Sequence, residues 1–230
     1  MMPRVIHLDS FATEAARFIL DAMQTAVSAR GFCRLALSGG ETPREVNREL
    51  VRLAGDLPWE RVQITFGDER CVPPDHEDSN YRMAHESLLE PAGIPAGNVF
   101  RMRGEIDPEA AATEYESRLA AVAARVGEER YVHDLILLGL GPDGHTASLF
   151  PGLPALDETE RNILPVIGPK PPPQRLTMTF PLLNAARQIC FLARGAAKLP
   201  IVEEIVSGRS VLPAARVQPP NGSVTWLTGS

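Results

Sequence analysis

The chain has 230 residues, of which 44% are hydrophobic and 23% are charged, and its 23 basic and 29 acidic residues give a formal net charge of −6. This composition is typical of a folded globular protein, and the acidic balance argues against general nucleic-acid binding, which needs a cationic face. No stretch approaches the roughly 20 apolar residues that span a bilayer, and no signal-peptide core is present, so we expect a cytoplasmic protein without a membrane partner.

The first two thirds of the chain alternate predicted strands with predicted helices. The predicted strands are Arg4–Leu8, Cys33–Leu37, Val62–Phe66 and Asp134–Leu138. The predicted helices run from an Asp9-Ser10 cap to about Ala29, from a Thr42-Pro43 N-cap to about Leu53, from a Ser79 cap to about Leu89, and over Pro108–Val126. Such alternation is typical of parallel strands joined by helices that cover both faces of an open sheet.

Beyond Gly139 the alternation loosens. The remaining elements are short strands at Ile163–Val166, Leu176–Thr179, Ile189–Leu192 and Val224–Leu227, and one helix at Ala196–Val206. No linker is long enough to divide the chain, so we expect residues 1–230 to form a single domain. The predicted fold is α/β, with a doubly wound, mostly parallel open sheet, helices on both faces and a mixed C-terminal edge.

Three polar loops follow predicted strands, at Ser38–Thr42, Gly67–Asn80 and Gly139–Ser148. In open α/β sheets, ligands bind outside the carboxyl ends of the strands. The first loop, SGGETP, opens a helix, where two glycines allow backbone N–H groups to converge on an anion. It matches neither the Walker pattern nor the dinucleotide fingerprint, so the single phosphate of a small molecule fits it best. A tight turn that binds nothing is the alternative.

The second loop is rich in charged residues, among which Arg70 is notable. A metal site is one interpretation of its carboxylates, but no two histidines have ligand spacing and a cation cage would not include an arginine. The preferred interpretation is that Arg70 donates to an anionic or carbonyl oxygen, with Asp68 holding its geometry. A surface ion pair of little energetic value is the alternative.

The third loop places His145 between a glycine turn and a short predicted helix. An imidazole titrates near neutral pH, so at this edge of the sheet it is a natural general base. Asp143 could accept the other ring proton and hold the tautomer. A merely structural or exposed histidine is the alternative, and His76 is the one rival for the role of base.

A cation opens the last predicted helix. Only two of the 23 basic residues are lysines, Lys170 and Lys198. Lys198 lies in the first turn of the helix, where the helix dipole disfavours a positive charge unless an anion is bound nearby. Lys198 is therefore a candidate phosphate ligand, and a solvated surface lysine is the alternative.

Covalent chemistry has weaker support in the sequence. Ser38 and Ser148 do not lie in a G-x-S-x-G elbow, and Cys71 has no evident histidine partner. Together with Cys33 and Cys190, Cys71 makes an odd and scattered set that predicts neither a disulfide framework nor a metal site. We expect buried thiols in a reducing compartment.

Several long motifs occur together in one order, namely LSGGETP, GDERCVPPDHEDSNYRMA, LGLGPDGHTASLFPG, PPPQRLTMTFPLLNAAR and a GAAK helix start. In this combination, from about residue 35 to about residue 200, the chain resembles the 6-phosphogluconolactonase family, within a wider group that includes the glucosamine-6-phosphate deaminases. The local departure is Glu41, where the family often has a small polar residue. It matters little if only backbone N–H groups of the loop touch phosphate.

The resemblance implies hydrolysis of 6-phospho-D-glucono-1,5-lactone to 6-phospho-D-gluconate in the oxidative branch of the pentose phosphate pathway, without a cofactor or a metal. It implies that His145 takes a proton from the attacking water, that Asp143 orients it, and that Arg70 stabilises the oxyanion. The residues implied for the phosphate and the sugar are Gly39, Gly40, Thr42, Asp68, Asn80, Arg175 and Lys198. The expected partner is a small sugar-phosphate lactone and no nucleic acid, and the expected state is a monomer or weak homo-oligomer.

Two other functions remain open. A glucosamine-6-phosphate deaminase or isomerase would use the same phosphate loop, with Asp68 removing the C2 proton. The DER sequence favours the lactonase, since the deaminases carry an aromatic residue after Asp-Glu. A non-catalytic sugar-phosphate sensor is the second alternative, although such effector domains normally accompany a DNA-binding segment, and none is visible in the sequence.

Overall fold

The computed structural model describes residues 3–230. Its strands are β1 (Arg4–Leu8), β2 (Cys33–Leu37), β3 (Val62–Phe66), β4 (Asp68–Arg70), β5 (Leu135–Gly139), β6 (Ile163–Ile167), β7 (Gln174–Met178), β8 (Gln188–Arg194) and β9 (Ser223–Gly229). Its α-helices are α1 (Phe11–Arg30), α2 (Glu41–Leu53), α3 (Asn80–Ala84), α4 (Pro108–Ala124), α5 (Phe180–Leu183) and α6 (Leu199–Val206). No helix in this part of the chain is long and apolar enough to cross a membrane.

The strands form two sheets. Six of them make an open sheet in the order β1-β9-β8-β5-β2-β3, and every pair in it is parallel. The other three make a small antiparallel sheet in the order β4-β7-β6. The first strand, β1, lies at an edge of the main sheet and pairs with the last strand, β9.

The strand order reverses between β2 and β5. From β2 the chain moves outward to β3, whereas β5, β8 and β9 extend the sheet in the other direction. A crevice opens at such a switch point, outside the carboxyl ends of the two strands. The loops Ser38–Thr42 and Gly139–Ser148 therefore flank one crevice because of the topology of the sheet.

Alternate side chains of each central strand enter two separate cores. In β5, Leu135 and Leu137 belong to the core that α1 and α2 cover, whereas Ile136 and Leu138 belong to the core on the α4 and α6 side. All four side chains are at most 1% exposed. This two-sided burial explains why the strand is apolar throughout and carries no alternating pattern.

The predicted α/β fold with a mostly parallel open sheet and helices on both faces is confirmed. The antiparallel pairing that we expected at one edge of that sheet lies instead in the second sheet. The C-terminal strands β8 and β9 are parallel members of the main sheet. The sequence could not separate the two sheets because β3 runs into β4 across the single residue Gly67.

Three helices differ in detail from the prediction. The N-cap of α2 is Gly40 and the helix begins at Glu41, so Thr42 lies in its first turn. The helix capped by Ser79 has the expected span, but its second half, His85–Leu89, is a π-helical turn. The segment predicted as one helix from 196 to 206 begins with a 3-10 turn at Ala196–Lys198, and Pro200 stands in the first turn of the α6 helix that follows.

Candidate active site

A cleft lies at the carboxyl ends of the strands, between the main sheet and the small sheet. The chain segments that form it come from both sheets and from the loops after β2, β5 and β8. It is lined by Ser38, Gly39, Gly40, Glu41, Thr42, Pro43, Asp68, Arg70, Gly139, Leu140, Gly141, His145, Ala147, Arg175, Leu192 and Lys198. Eight of the ten residues implied for the site line this cleft, and the other two, Asn80 and Asp143, contact residues that do.

The glycines of the first loop are required by its geometry. Gly40 has φ +107°, a conformation that residues with side chains rarely adopt. A Cβ atom on Gly39 would lie 1.9 Å from Oδ1 of Asn80, so the amide of Asn80 packs directly against the loop backbone. The loop thereby leads into the N-terminus of α2, where N–H groups of the first turn lack helical partners and favour an anion.

Three cationic side chains line the cleft. Arg70 and Arg175 are direct cross-strand partners on β4 and β7, and Lys198 immediately precedes α6. Burial lowers the pKa of Arg175, and the positive charge of Arg70 lowers it further. Burial also lowers the pKa of Lys198. Positive charges held together and out of water are stabilised by a bound anion, so this end of the cleft is suited to a phosphate group.

The structure corrects the expected support of Arg70. Asp68 does not hold its guanidinium, because Nη1 of Arg70 donates a hydrogen bond of 2.7 Å to the carbonyl oxygen of Asp78. Nε of Arg70 is buried and has no hydrogen-bond partner among the described residues. The second loop thus positions Arg70 through its backbone and leaves donor capacity for a ligand.

His145 and Asp143 interact through their side chains. Nδ1 of His145 contacts Oδ1 of Asp143, and the backbone N–H of His145 donates to the same oxygen at 3.3 Å. Burial acts to raise the pKa of Asp143, but its hydrogen bonds and electrostatic interaction with His145 outweigh burial and hold this pKa below its ordinary value. A Cβ atom on Gly141 would lie 2.0 Å from Nδ1, so the glycine makes room for the ring. With Nδ1 turned toward Asp143, Nε2 is the ring nitrogen left for a substrate or a water.

Sequence reasoning missed the role of Ser148. Its hydroxyl donates a hydrogen bond of 2.6 Å to Oδ2 of Asp68, and the amide of Asn80 donates to Oδ1 at 3.1 Å. The backbone N–H of Ser148 also donates to Oγ1 of Thr177 on β7. Ser148 therefore joins the His145 loop to strands β4 and β7 of the small sheet. The only sequence signal was its place three residues after His145, and 80 positions separate it from Asp68.

Two further residues were missed. Glu69 is buried and accepts backbone hydrogen bonds from Arg70, Asn80 and Tyr81, which ties the second loop to the start of α3. Burial raises the pKa of Glu69, although these N–H donors lower it. Phe150 packs against the imidazole of His145, with ring centroids 4.4 Å apart and the two planes tilted by 36°. Both residues lie within the sequence motifs that carry the family resemblance. Glu69 is one of several acidic residues in its loop and Phe150 is an apolar side chain, so neither was singled out from the sequence.

Other candidates lie away from the cleft. His76 is outside the lining, and its Nδ1 lies 3.1 Å from the backbone nitrogen of Asp78. Cys33 and Cys190 are buried, whereas Cys71 is only half-buried, and all three are free thiols. Among residues 3–230, the His, Cys, Asp and Glu side chains form no group of three or more that could hold a metal ion.

The family described as "Glucosamine-6-phosphate isomerases/6-phosphogluconolactonase" matches residues 7–226. The chain belongs to this family. A 6-phosphogluconolactonase of Synechocystis sp. is 44% identical over 206 residues, which cover 88% of this chain and 84% of the relative. A human 6-phosphogluconolactonase is 42% identical over 205 residues, which cover 86% of this chain and 79% of the relative.

Solved structures of the family have the same fold. The crystal structure of 6-phosphogluconolactonase from Thermotoga maritima superposes with a TM-score of 0.87 at 29% identity, covering 99% of this chain and 100% of that one. A monomeric glucosamine-6-phosphate deaminase superposes with a TM-score of 0.81 at 21% identity, a likeness of fold alone. Both branches of the family thus share this scaffold, so the choice between them depends on the site.

Proposed function

We propose that this protein hydrolyses 6-phospho-D-glucono-1,5-lactone to 6-phospho-D-gluconate, the lactone-opening step of the oxidative pentose phosphate pathway, and that residues 1–230 act as one lactonase domain. The observation that carries the proposal is the placement of His145 in the same cleft as Arg70, Arg175 and Lys198. A base and a cationic cluster in one cleft match a substrate with an electrophilic carbonyl at one end and a phosphate at the other. The relatives named as 6-phosphogluconolactonases support the same reaction.

In the proposed mechanism, His145 acts first as a base and then as an acid. Nδ1–H donates to Asp143, so the lone pair of Nε2 takes a proton from water as its oxygen attacks C1 of the lactone. The tetrahedral oxyanion collapses, the bond between C1 and the ring oxygen breaks, and the imidazolium returns the proton to that oxygen. Asp143 keeps the tautomer and stabilises the imidazolium during the step.

The phosphate is assigned to the other side of the cleft. Backbone N–H groups of Gly39, Gly40 and Thr42 at the start of α2 would receive it, and Arg175 and Lys198 would neutralise its charge. Asp68, held by Asn80 and Ser148, would accept hydrogen bonds from the sugar hydroxyls. The enzyme carries a net negative charge, so binding of an anionic substrate relies on this local cluster.

Arg70 has two candidate roles because it lies directly beside Arg175. Donation to the developing oxyanion predicts that Arg70→Ala lowers kcat by about 10²-fold or more with little change in KM, as when an oxyanion donor is removed. A phosphate ligand would instead raise KM. Steady-state kinetics of this one variant therefore assigns the residue, and we expect the defect in kcat.

The decisive experiment measures formation of 6-phosphogluconate above the spontaneous rate of lactone opening. We expect saturable turnover by the wild-type protein and a loss of about 10²–10⁴ in kcat for His145→Ala, the usual contribution of a general base. Unchanged circular dichroism of the variant would show that its fold is intact. Near-wild-type turnover of His145→Ala would remove this residue from the mechanism.

The same protein samples test the alternative function, that of a glucosamine-6-phosphate deaminase. Release of ammonia from glucosamine 6-phosphate would establish that activity. Binding of 6-phosphogluconate without turnover of either substrate would instead support a sensor.

We also propose a cytoplasmic location and a monomeric or weakly associated state, as the sequence led us to expect. Some relatives in the family are named as chloroplastic, so fractionation of the source cells is the test of location. Size-exclusion chromatography with light scattering over a range of concentrations tests the oligomeric state.

A further inference from the structure

The geometry points to Phe150 as a positioning residue that holds the imidazole of His145 and the guanidinium of Arg175 against one aromatic ring. In this role it sets the spacing between the group that accepts the proton and a group that binds the phosphate. The inference rests on the proposed function and deepens it, because this spacing has to match the distance between the lactone carbonyl and the phosphate of the substrate.

Phe150 contacts both groups. The centroid of its ring lies 4.4 Å from that of the His145 imidazole, with 36° between the planes. Cζ of Arg175 lies 5.6 Å from the same centroid, within the range of a cation–π contact. His145 and Arg175 belong to different parts of the fold, the loop after β5 and strand β7. The one ring therefore links the two sides of the cleft.

The ring itself is held in place by its surroundings. Phe150 is 2% exposed. The backbone N–H of Leu149 donates to the carbonyl oxygen of Thr146, so a tight turn brings the chain back beneath His145. On another side, a Cβ atom on Gly168 would lie 2.8 Å from Cε2 of Phe150, so the backbone before β7 closes against the ring. The Phe150 ring therefore has little freedom to move, and it restrains the positions of the His145 imidazole and the Arg175 guanidinium.

Hydrogen bonds also restrain His145 and Arg175, but they do not fix the orientation of both planar groups. Asp143 holds one edge of the imidazole through Nδ1, but a single contact at an edge does not set the tilt of the ring plane. Nε and Nη2 of Arg175 donate to the carbonyl oxygens of Pro172 and Lys170, which hold two edges of the guanidinium. A flat ring against the imidazole and near the guanidinium supplies the missing restraint on orientation.

The Phe150 ring also interacts with the positive charge that His145 acquires during the proposed reaction. The negative face of an aromatic ring favours a nearby cation, so it favours the imidazolium that forms when His145 takes a proton from water. The other charged side chains around His145 are Asp143, in direct contact, and Glu41, Asp68, Arg70, Arg175 and Lys198, which line the same cleft. Asp143 and the Phe150 ring both contact the imidazole, and both favour its charged form.

The test replaces Phe150 with leucine, which fills much of the same volume without a flat π face. We expect kcat to fall by about tenfold, in line with the contribution of one desolvated aromatic–cation contact. We also expect the affinity for inorganic phosphate, measured by competitive inhibition and by calorimetry, to fall by roughly threefold or more because Arg175 is less ordered. A purely structural role would lower thermal stability without a joint change in kcat and phosphate affinity.

Phe180→Leu is the matched control. Phe180 is also buried and has the guanidinium of Arg216 4.5 Å from its ring centroid, but it does not line the cleft. This variant loses the same atoms and a similar cation–π contact, and we expect wild-type kcat and phosphate affinity. Equal kinetic defects in both variants, or none in Phe150→Leu, would overturn the inference.

A spectroscopic readout separates this inference from the proposed reaction. Close packing against Phe150 gives the ring protons of His145 a ring-current shift in the NMR spectrum, which His145→Ala assigns by loss of the signal. We expect the shift to disappear in Phe150→Leu and to persist in Phe180→Leu, whether or not the protein turns over the lactone. Should Phe150→Leu not fold, Gly168→Ala, whose new methyl group presses on the ring, is expected to alter the same signal, and an unaltered signal there counts against the inference.

Discussion

The buried imidazole of His133 makes the stability of the protein sensitive to acid. His133 is inaccessible to solvent, and its Nε2 is hydrogen-bonded to Oγ1 of Thr65 at 2.9 Å. Burial, followed by the positive charge of Arg34, lowers the pKa of His133 from 6.5 to about 3. Folding therefore keeps this side chain neutral over a pH range in which the unfolded chain protonates it.

The sign and size of the effect follow from proton linkage. Above pH 6.5 neither state binds the proton, and the contribution of His133 to stability is fully present. Below pH 6.5 only the unfolded state binds it, so the free energy of unfolding falls with pH until about pH 3, where the folded state also protonates. A slope of about 1.4 kcal/mol per pH unit gives a loss of about 2 kcal/mol between pH 7 and pH 5.

Urea denaturation at pH 7 and at pH 5 measures this loss. We expect the decrease in unfolding free energy between the two pH values to be about 2 kcal/mol smaller in His133→Gln than in the wild type. His85→Gln makes the same chemical change at a side chain that is 44% exposed, and its pH dependence should match the wild type. An unchanged acid dependence in His133→Gln would show that His133 titrates normally and that its burial is not maintained.

Two other substitutions test the site. Lys198→Ala is expected to raise KM by about 10- to 100-fold with a much smaller effect on kcat, because a charged hydrogen bond to phosphate is lost in the ground state and in the transition state alike. Lys170→Ala, at the other lysine, should leave KM unchanged. An unchanged KM in Lys198→Ala would contradict the role of Lys198 as a phosphate ligand. Ser148→Ala is expected to lower the unfolding free energy by about 1.5–3 kcal/mol, since Asp68 loses a buried donor. Ser117→Ala, at an exposed helical serine, should cost under about 0.5 kcal/mol, and an equal cost at both positions would argue against the Asp68 contact.

Two kinds of element could be predicted from the sequence: strands that are buried on both faces and helices that begin at a recognisable capping residue. The span Cys33–Leu37 is apolar apart from Arg34 and is observed as predicted, because a strand between two helical layers has no solvent face. Ser79 was predicted as a helix cap, and its side chain accepts a hydrogen bond from the first turn of its helix. A helix boundary that is set by a hydrogen bond between neighbouring residues could therefore be predicted from the sequence around it.

The features that the sequence did not reveal depend on contacts between distant segments. Strand β4 has only three residues, too few for a periodic signal, and its pairing with β7 joins positions more than 100 apart. The pair of arginines and the bond between Ser148 and Asp68 follow from that pairing. The motifs identified the loops that supply the site, whereas the partners of each side chain required the fold.

The pairing of β1 with β9 has a consequence for synthesis of the protein on the ribosome. Of the strands that the structure describes, β1 is the first to be synthesised, and its partner β9 (Ser223–Gly229) is the last. During synthesis β1 therefore has no partner in the sheet until residues 223–229 have been made, and it remains an unpaired edge strand for that interval. Joining the termini and reopening the chain at an exposed turn such as Gly127 would make β1 and β9 neighbours in sequence, and such a permutant should fold faster because that contact becomes local.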